Sequence, residues 1–171
     1  MFSRGLIMKC SNGTNSGFTL VELIVVMVLV SIIAAVIGIG LVHVVQSMVF
    51  TKMNAVTIQK GQITITKLIK EFNNISDVTA ASAISITFAS YKDGVSGSHT
   101  FARSGNNITF DGDIITDQVS DFSLNYYDNF NTPPQSTWQA SRKIIEIKLK
   151  LTGAGNLVSQ FQERVRPRNL P

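Results

Sequence analysis

Three features of the sequence predict an α+β fold. An uncharged apolar run lies near the start, a helix-compatible stretch continues it, and period-two runs separated by turn residues fill the remainder. The architecture expected is a long N-terminal helix, partly membrane-spanning, packed on a mainly antiparallel β-sheet. At 171 residues the chain suits one domain with a modest core. Its net charge of +4 is small, so no nucleic-acid partner is expected. The single cysteine, Cys10, precedes the apolar run and excludes an intramolecular disulfide, so the fold must be held by packing.

The apolar run comes first. From Leu23 to Val42, twenty residues carry no charge. At 1.5 Å per residue they make a helix of about 30 Å, the thickness of a bilayer's hydrocarbon core. A cleaved secretory signal has a shorter apolar stretch and a small-residue cleavage site just after it. No A-x-A pattern closely follows here, so the segment is expected to stay as an anchor and not to be removed. Arg4 and Lys9 precede the run, and Lys52 is the first positive charge after it, which favours a cytoplasmic N-terminus. Glu22 sits at the head of the run as its only acid. A carboxylate at membrane depth costs about 2.5–3.5 kcal/mol, which marks Glu22 as a functional residue.

The stretch "SGFTLVE", residues 16–22, followed by an apolar helix, resembles the processing motif of type IV prepilins and type II secretion pseudopilins. Gly17, Phe18, Thr19, Leu20, Val21 and Glu22 all fit that pattern. The resemblance implies that prepilin peptidase cuts after Gly17 and that the new N-terminal residue, Phe18, is N-methylated. Residues 1–17 would then be a leader peptide, with Met8 as a second candidate start. Residues 18–42 would be the transmembrane half of the helix, 43–74 its periplasmic half, and 75–171 a globular β-rich domain. The mature chain would lose Cys10 and keep a net charge of +2.

The same resemblance gives Glu22 a partner. Cleavage creates an α-amine at Phe18, and in the family the equivalent carboxylate attracts the terminal amine of a neighbouring subunit as helices stack. A buried ion is tolerated only when paired, so such a contact penalises helices docked at the wrong height. A second reading has Glu22 capping the first helical turn. The family's mid-helix proline is replaced here by Gly38-Ile39-Gly40. Each glycine weakens a helix by about 1 kcal/mol relative to alanine, supplying a soft spot. They equally suit close packing between membrane helices.

Beyond the anchor, nothing breaks the helix before Asn73-Asn74. Val45, Val49, Val56 and Ile63 share one face, and Ile58, Ile65, Leu68, Ile69 and Phe72 share roughly the opposite one. A filament subunit requires one face for its own domain and another for neighbours, and a single amphipathic helix of imperfect periodicity is the alternative. Period-two strands follow. "AISITFASY" turns Ile84, Ile86 and Phe88 inward, and "KDG" is a turn. "SHTFAR" and "NNITF" form a hairpin about Ser104-Gly105-Asn106. "DFSLNYYD" alternates Phe122, Leu124 and Tyr126. "KIIEIKLKL" sets Ile145, Ile147, Leu149 and Leu151 against Glu146, Lys148 and Lys150 as a half-exposed strand. The loop between them holds Pro133-Pro134, and "NLVSQFQERVRPRNL" ends in a basic strand. The order "VSDFSLNYYD", Trp138, "RKIIEIKLKL", "RVRPRNL" over residues 119–170 resembles the J-type minor pseudopilins and related minor pilins.

Site chemistry is sparse. "GVSGS" misses the G-x-S-x-G spacing by one position, and His99 is the one histidine away from the membrane edge, so no enzyme is expected. Asp111, Asp113, Asp117 and Asp121 form an oxygen-rich run that could take Ca²⁺, but its spacing is not that of an EF-hand. Turns and strand flanks also account for it, and no cofactor is expected. Arg164, Arg166 and Arg168 alternate as one solvated face. Trp138, Tyr126, Tyr127 and Phe130 suit a core and its cover. The function expected is that of a minor structural subunit of a type IV pilus or type II secretion pseudopilus. Its partners would be prepilin peptidase, other pilin or pseudopilin subunits and an inner-membrane assembly platform. Such a chain is single-pass in the inner membrane with a periplasmic C-terminal domain before entering a filament. The alternative is a membrane-tethered periplasmic binding or adhesion module that never enters filaments.

Overall fold

The structure, a computed structural model, describes residues 17–92 and 95–170. The first sixteen residues and the Asp93-Gly94 turn lie outside the described residues. Helix α1 runs Leu20–Asn73 and ends at the asparagine pair. The chain divides into two compact units, Met1–Gln46 and Ser47–Pro171.

In the first unit every described residue, 17–46, is exposed. From Leu23 to Val42 valine, leucine and isoleucine cover all sides of α1, so no polar face remains for water. A helix with this pattern satisfies its backbone internally and presents only hydrocarbon outward, which suits a membrane span. Ser31 does not break the pattern, because its hydroxyl donates to the Met27 carbonyl one turn back at 2.7 Å. Open space surrounds Gly38 and Gly40.

In the second unit α1 buries Thr57, Gly61, Thr64, Ile65, Leu68 and Phe72. The expected stripe is corrected at Ile58, which is 42% exposed, while Ile69 is only partly covered. Small residues replace it on the buried face, because a strand comes too close for anything larger: a Cβ on Gly61 would collide with the Phe161 ring. Thr57 and Thr64 fill the same strip without stranding their hydroxyls, which donate to the Met53 and Lys60 carbonyls at 3.1 and 2.8 Å. Val49, Val56 and Ile63 stay exposed on the other side.

Among the described residues eight strands follow in two antiparallel sheets, not one. The first sheet comprises β1 Ile75–Ala81, β2 Ser85–Lys92, β3 Val95–Ser104, β4 Asn107–Phe110 and β5 Asp113–Thr116, paired in chain order. The second comprises β6 Val119–Tyr127, β7 Ile144–Thr152 and β8 Val158–Val165, with β7 central. The hairpin at residues 104–107 turns through Gly105 at φ +60°. The β4–β5 hairpin turns through Asp111 and Gly112, both at positive φ (53° and 95°), as two-residue hairpins favour. Strand β1 has no clean period-two signal, since irregularities in its pairing with β2 put both Ile75 and Val78 inward. Strand β5 is hidden among aspartates.

Ile86, Phe88, Phe122, Leu124, Tyr126, Ile145, Ile147, Leu149 and Leu151 are all buried, as alternation predicts. Ile84 is a correction. It precedes β2 and is 48% exposed, contributing its carbonyl to the Arg103 N–H at 2.9 Å. The core joins both sheets to α1. Phe72 meets Phe88 and Phe101 edge-on at 5.8 and 5.7 Å, geometry that adds about 1 kcal/mol per pair beyond burial. Where β6 passes the β1–β2 loop, the Leu124 N–H donates to the Ala83 carbonyl (2.7 Å) and the Tyr126 hydroxyl to the Ser82 carbonyl (3.0 Å). Burial pushes the Tyr126 phenol far above its ordinary pKa, so it remains a donor. Trp138 covers the Tyr126 ring edge-on at 5.5 Å, whereas Phe130 stays exposed.

Candidate functional site

The head of α1 is built by Thr19. Its side-chain oxygen accepts the Glu22 N–H at 3.3 Å and its carbonyl accepts the Leu23 N–H at 3.2 Å. Thr19 is therefore the N-cap, and Thr19-Leu20-Val21-Glu22 has the T-x-x-E spacing of a capping box. The helix starts two residues beyond Phe18, leaving the Gly17–Phe18 bond in exposed chain outside the helix. Gly17 has nothing within 4 Å of where a Cβ would stand, and Phe18 is 80% exposed. A peptidase needs an accessible, non-helical bond, and this one qualifies. Glu22 is exposed, and among the described residues no cation lies within ion-pair distance of it. It combines a local role at the helix head with an open charge.

Residues 13–38 match the family model of the prokaryotic N-terminal methylation motif. The match takes in Gly17, Phe18 and Glu22 and reaches Gly38. The motif is that of pilin-type proteins processed by prepilin peptidase. No curated protein and no solved structure matches the chain.

The acidic run is the other sequence candidate, and the structure disperses it. Asp117 accepts from Lys60 at 2.6 Å, which holds its carboxyl below the usual range. Asp121 lies 3.2 Å from Lys150 and 3.9 Å from Arg103. Asp111 takes His99 Nδ1–H and the Thr100 N–H, each at 2.7 Å. Burial pushes the Asp111 carboxyl up, but these bonds and the His99 and Lys67 charges outweigh it and hold it low. Asp113 is exposed. Each of the other three is already committed to its own partner, and no group of three ligating side chains suited to a metal occurs among the described residues.

Glu146 is the residue that sequence reasoning missed. Expected on the half-exposed side of β7, it is instead fully buried. Register explains this: Asn125 of β6 and Arg164 of β8 stand directly beside it. One carboxylate oxygen accepts from Arg164 Nε (2.8 Å) and Gln162 (2.9 Å). The other accepts from the Tyr127 hydroxyl (2.8 Å) and Asn125 (3.0 Å), with Lys148 at 3.2 Å. Burial alone would raise its pKa. The bonds from Tyr127, Arg164, Asn125 and Lys148 prevail and lower it to about 2. Arg164 also lies 4.6 Å over the Tyr127 ring. The expectation of three equivalent solvated arginines is corrected, since Arg164 is engaged with Glu146. An acid amid isoleucines was the available signal, but its donors come from two other strands and could not be found without the register.

Proposed function

We propose that this chain is a minor structural subunit of a type IV pilus or type II secretion pseudopilus. It would be cut after Gly17, N-methylated at Phe18, and built into a filament through α1. The observation that carries this is the methylation-motif match at the head of a helix that is apolar on every side. In this reading the exposed Glu22 carboxylate meets the Phe18 amine of a neighbouring subunit, and the β-rich unit lies on the periplasmic side of the inner membrane. The minor assignment draws support from the likeness of residues 119–170 to J-type subunits, with β6, the Trp138 loop, β7 and the arginine-bearing β8 in the matching order. An enzymatic role is not part of this reading.

Intact-mass and N-terminal peptide spectrometry of membrane-extracted protein tests the processing step. A mature chain starting at a methylated Phe18 is expected, and any other start overturns the proposal. Quantitative mass spectrometry of sheared filaments tests the rest. A few copies per filament support a minor subunit. Abundance equal to the commonest pilin-like protein refutes that role, and absence from filaments favours a tethered module.

A further inference from the structure

After β8 the chain continues Arg166-Pro167-Arg168-Asn169-Leu170, and this tail is pinned. Pro167 is buried, Leu170 packs against the core, and the Arg168 N–H donates to the Asn73 carbonyl at the end of α1 at 3.4 Å. Lys143, just before β7, is anchored by its own N–H to the Tyr127 carbonyl at 3.0 Å. Together they line a half-open cavity of about 320 Å³ bounded by Lys143, Arg166, Pro167, Arg168 and Leu170. Among the described residues its charged lining is three cations, Lys143, Arg166 and Arg168.

The neighbouring bases are committed elsewhere. Arg164 holds Glu146, Arg142 lies 3.9 Å from Asp128, and Lys148 and Lys150 each have an acid. No aspartate or glutamate among the described residues lies within 4 Å of a charged nitrogen of Lys143, Arg166 or Arg168. The carbonyl end of α1 offsets part of the excess, but a helix terminus carries only about half a charge against three. Like charges held about one hollow by a fixed backbone raise its potential and favour an anion there.

We propose that this cavity is a binding site for a phosphate or phosphoester group. Two guanidinium forks and one ammonium match the several acceptor oxygens of a tetrahedral phosphate group better than a single carboxylate. The volume lies at the low end of small-ligand pockets. A soluble phosphoester and a phospholipid headgroup share this chemistry. The proposal does not depend on assembly into filaments.

Calorimetric titration of the full-length protein in neutral detergent, at fixed ionic strength, tests it with two probes. Inorganic pyrophosphate stands for the soluble source, and glycerophosphoglycerol, the free headgroup of phosphatidylglycerol, for the lipid source. Binding of either is expected, and the tighter one identifies the source. Arg166→Gln and Arg168→Gln should each weaken it about tenfold. Lys52→Gln, which removes the same charge from an exposed helix position, should change it less than about twofold. Arg166→Lys, which keeps the charge, should recover part of the affinity, and near-UV circular dichroism checks that each variant is folded. No binding of either probe, or equal weakening by Lys52→Gln, overturns the site.

Discussion

Glu22 and Glu146 are both acids set among apolar residues, one in each compact unit, and they are handled in opposite ways. Glu146 receives donors from Asn125, Tyr127, Lys148, Gln162 and Arg164. Glu22 stands exposed, with Thr19 organising the backbone beside it and no cation of the described chain near its carboxylate. A charge whose partners lie within its own chain stabilises that chain. One left open on an apolar helix can be completed only from outside. The first is a device of folding, and in our proposal the second is a device of assembly.

Removing the internal set should give the largest effect. Glu146→Ala leaves a guanidinium, an ammonium, a phenol and two amides without their shared acceptor, and should destabilise the β-rich unit by about 3 kcal/mol in denaturant melts. Acid offers a second route to the same contact. The Glu146 pKa is about 2 when folded against an ordinary 4.5, so the folded state favours the ionised form. That stability is fully present above pH 4.5 and drains away as pH falls towards 2, by up to about 3 kcal/mol. Glu146→Gln should flatten this part of the stability–pH curve. An unchanged slope would mean that the carboxylate is not held as described.

Next in size is Gly61→Ala. Alanine favours a helix by about 1 kcal/mol, yet here its methyl meets the Phe161 ring. Overpacking should win, with a net loss of about 1–2 kcal/mol that Phe161→Leu in the same chain partly restores. Stabilisation by Gly61→Ala alone would show that β8 can move away from α1. Glu22→Gln should leave the denaturant melt unchanged, since an amide can still serve the capping box. Filament incorporation should fall about tenfold, the effect of losing roughly 1.4 kcal/mol. Full incorporation of the glutamine variant would reduce Glu22 to a helix cap. The smallest effect belongs to Asp117→Asn. The Lys60 pair is short, but the two side chains are 39% and 54% exposed, so the melt should shift by less than about 0.5 kcal/mol.

Legibility followed the range of the interactions. Gly17, Phe18 and Glu22 are near neighbours in the chain, so their motif could be seen in the sequence. The inward residues of β6 and β7 could be assigned because alternation is local. Residues that depend on a distant element were misassigned. Ile58 has the right character for the buried face, but Gly61 and two threonines occupy it because Phe161, a hundred positions later, needs the space. Glu146 looked solvent-facing because its donors arrive from β6 and β8. The aspartate run looked like one site because four acids were close in sequence, while Lys60, Lys150 and His99 draw three of them apart. Strand β1 escaped because its irregular pairing breaks the period on which the eye relies.

Every strand in each sheet pairs only with strands adjacent to it in the chain, β1 to β5 in one and β6 to β8 in the other. Hairpins of this kind close over short distances, so each costs little loop entropy and can form as soon as its second strand is available. The slow event is then the closure of β8 and the turn before it against α1, where Phe161 meets Gly61 a hundred positions back and Gly155 meets Phe50. A chain built this way can add its strands in the order in which they are synthesised and postpone that one closure to the end, when β8 is complete.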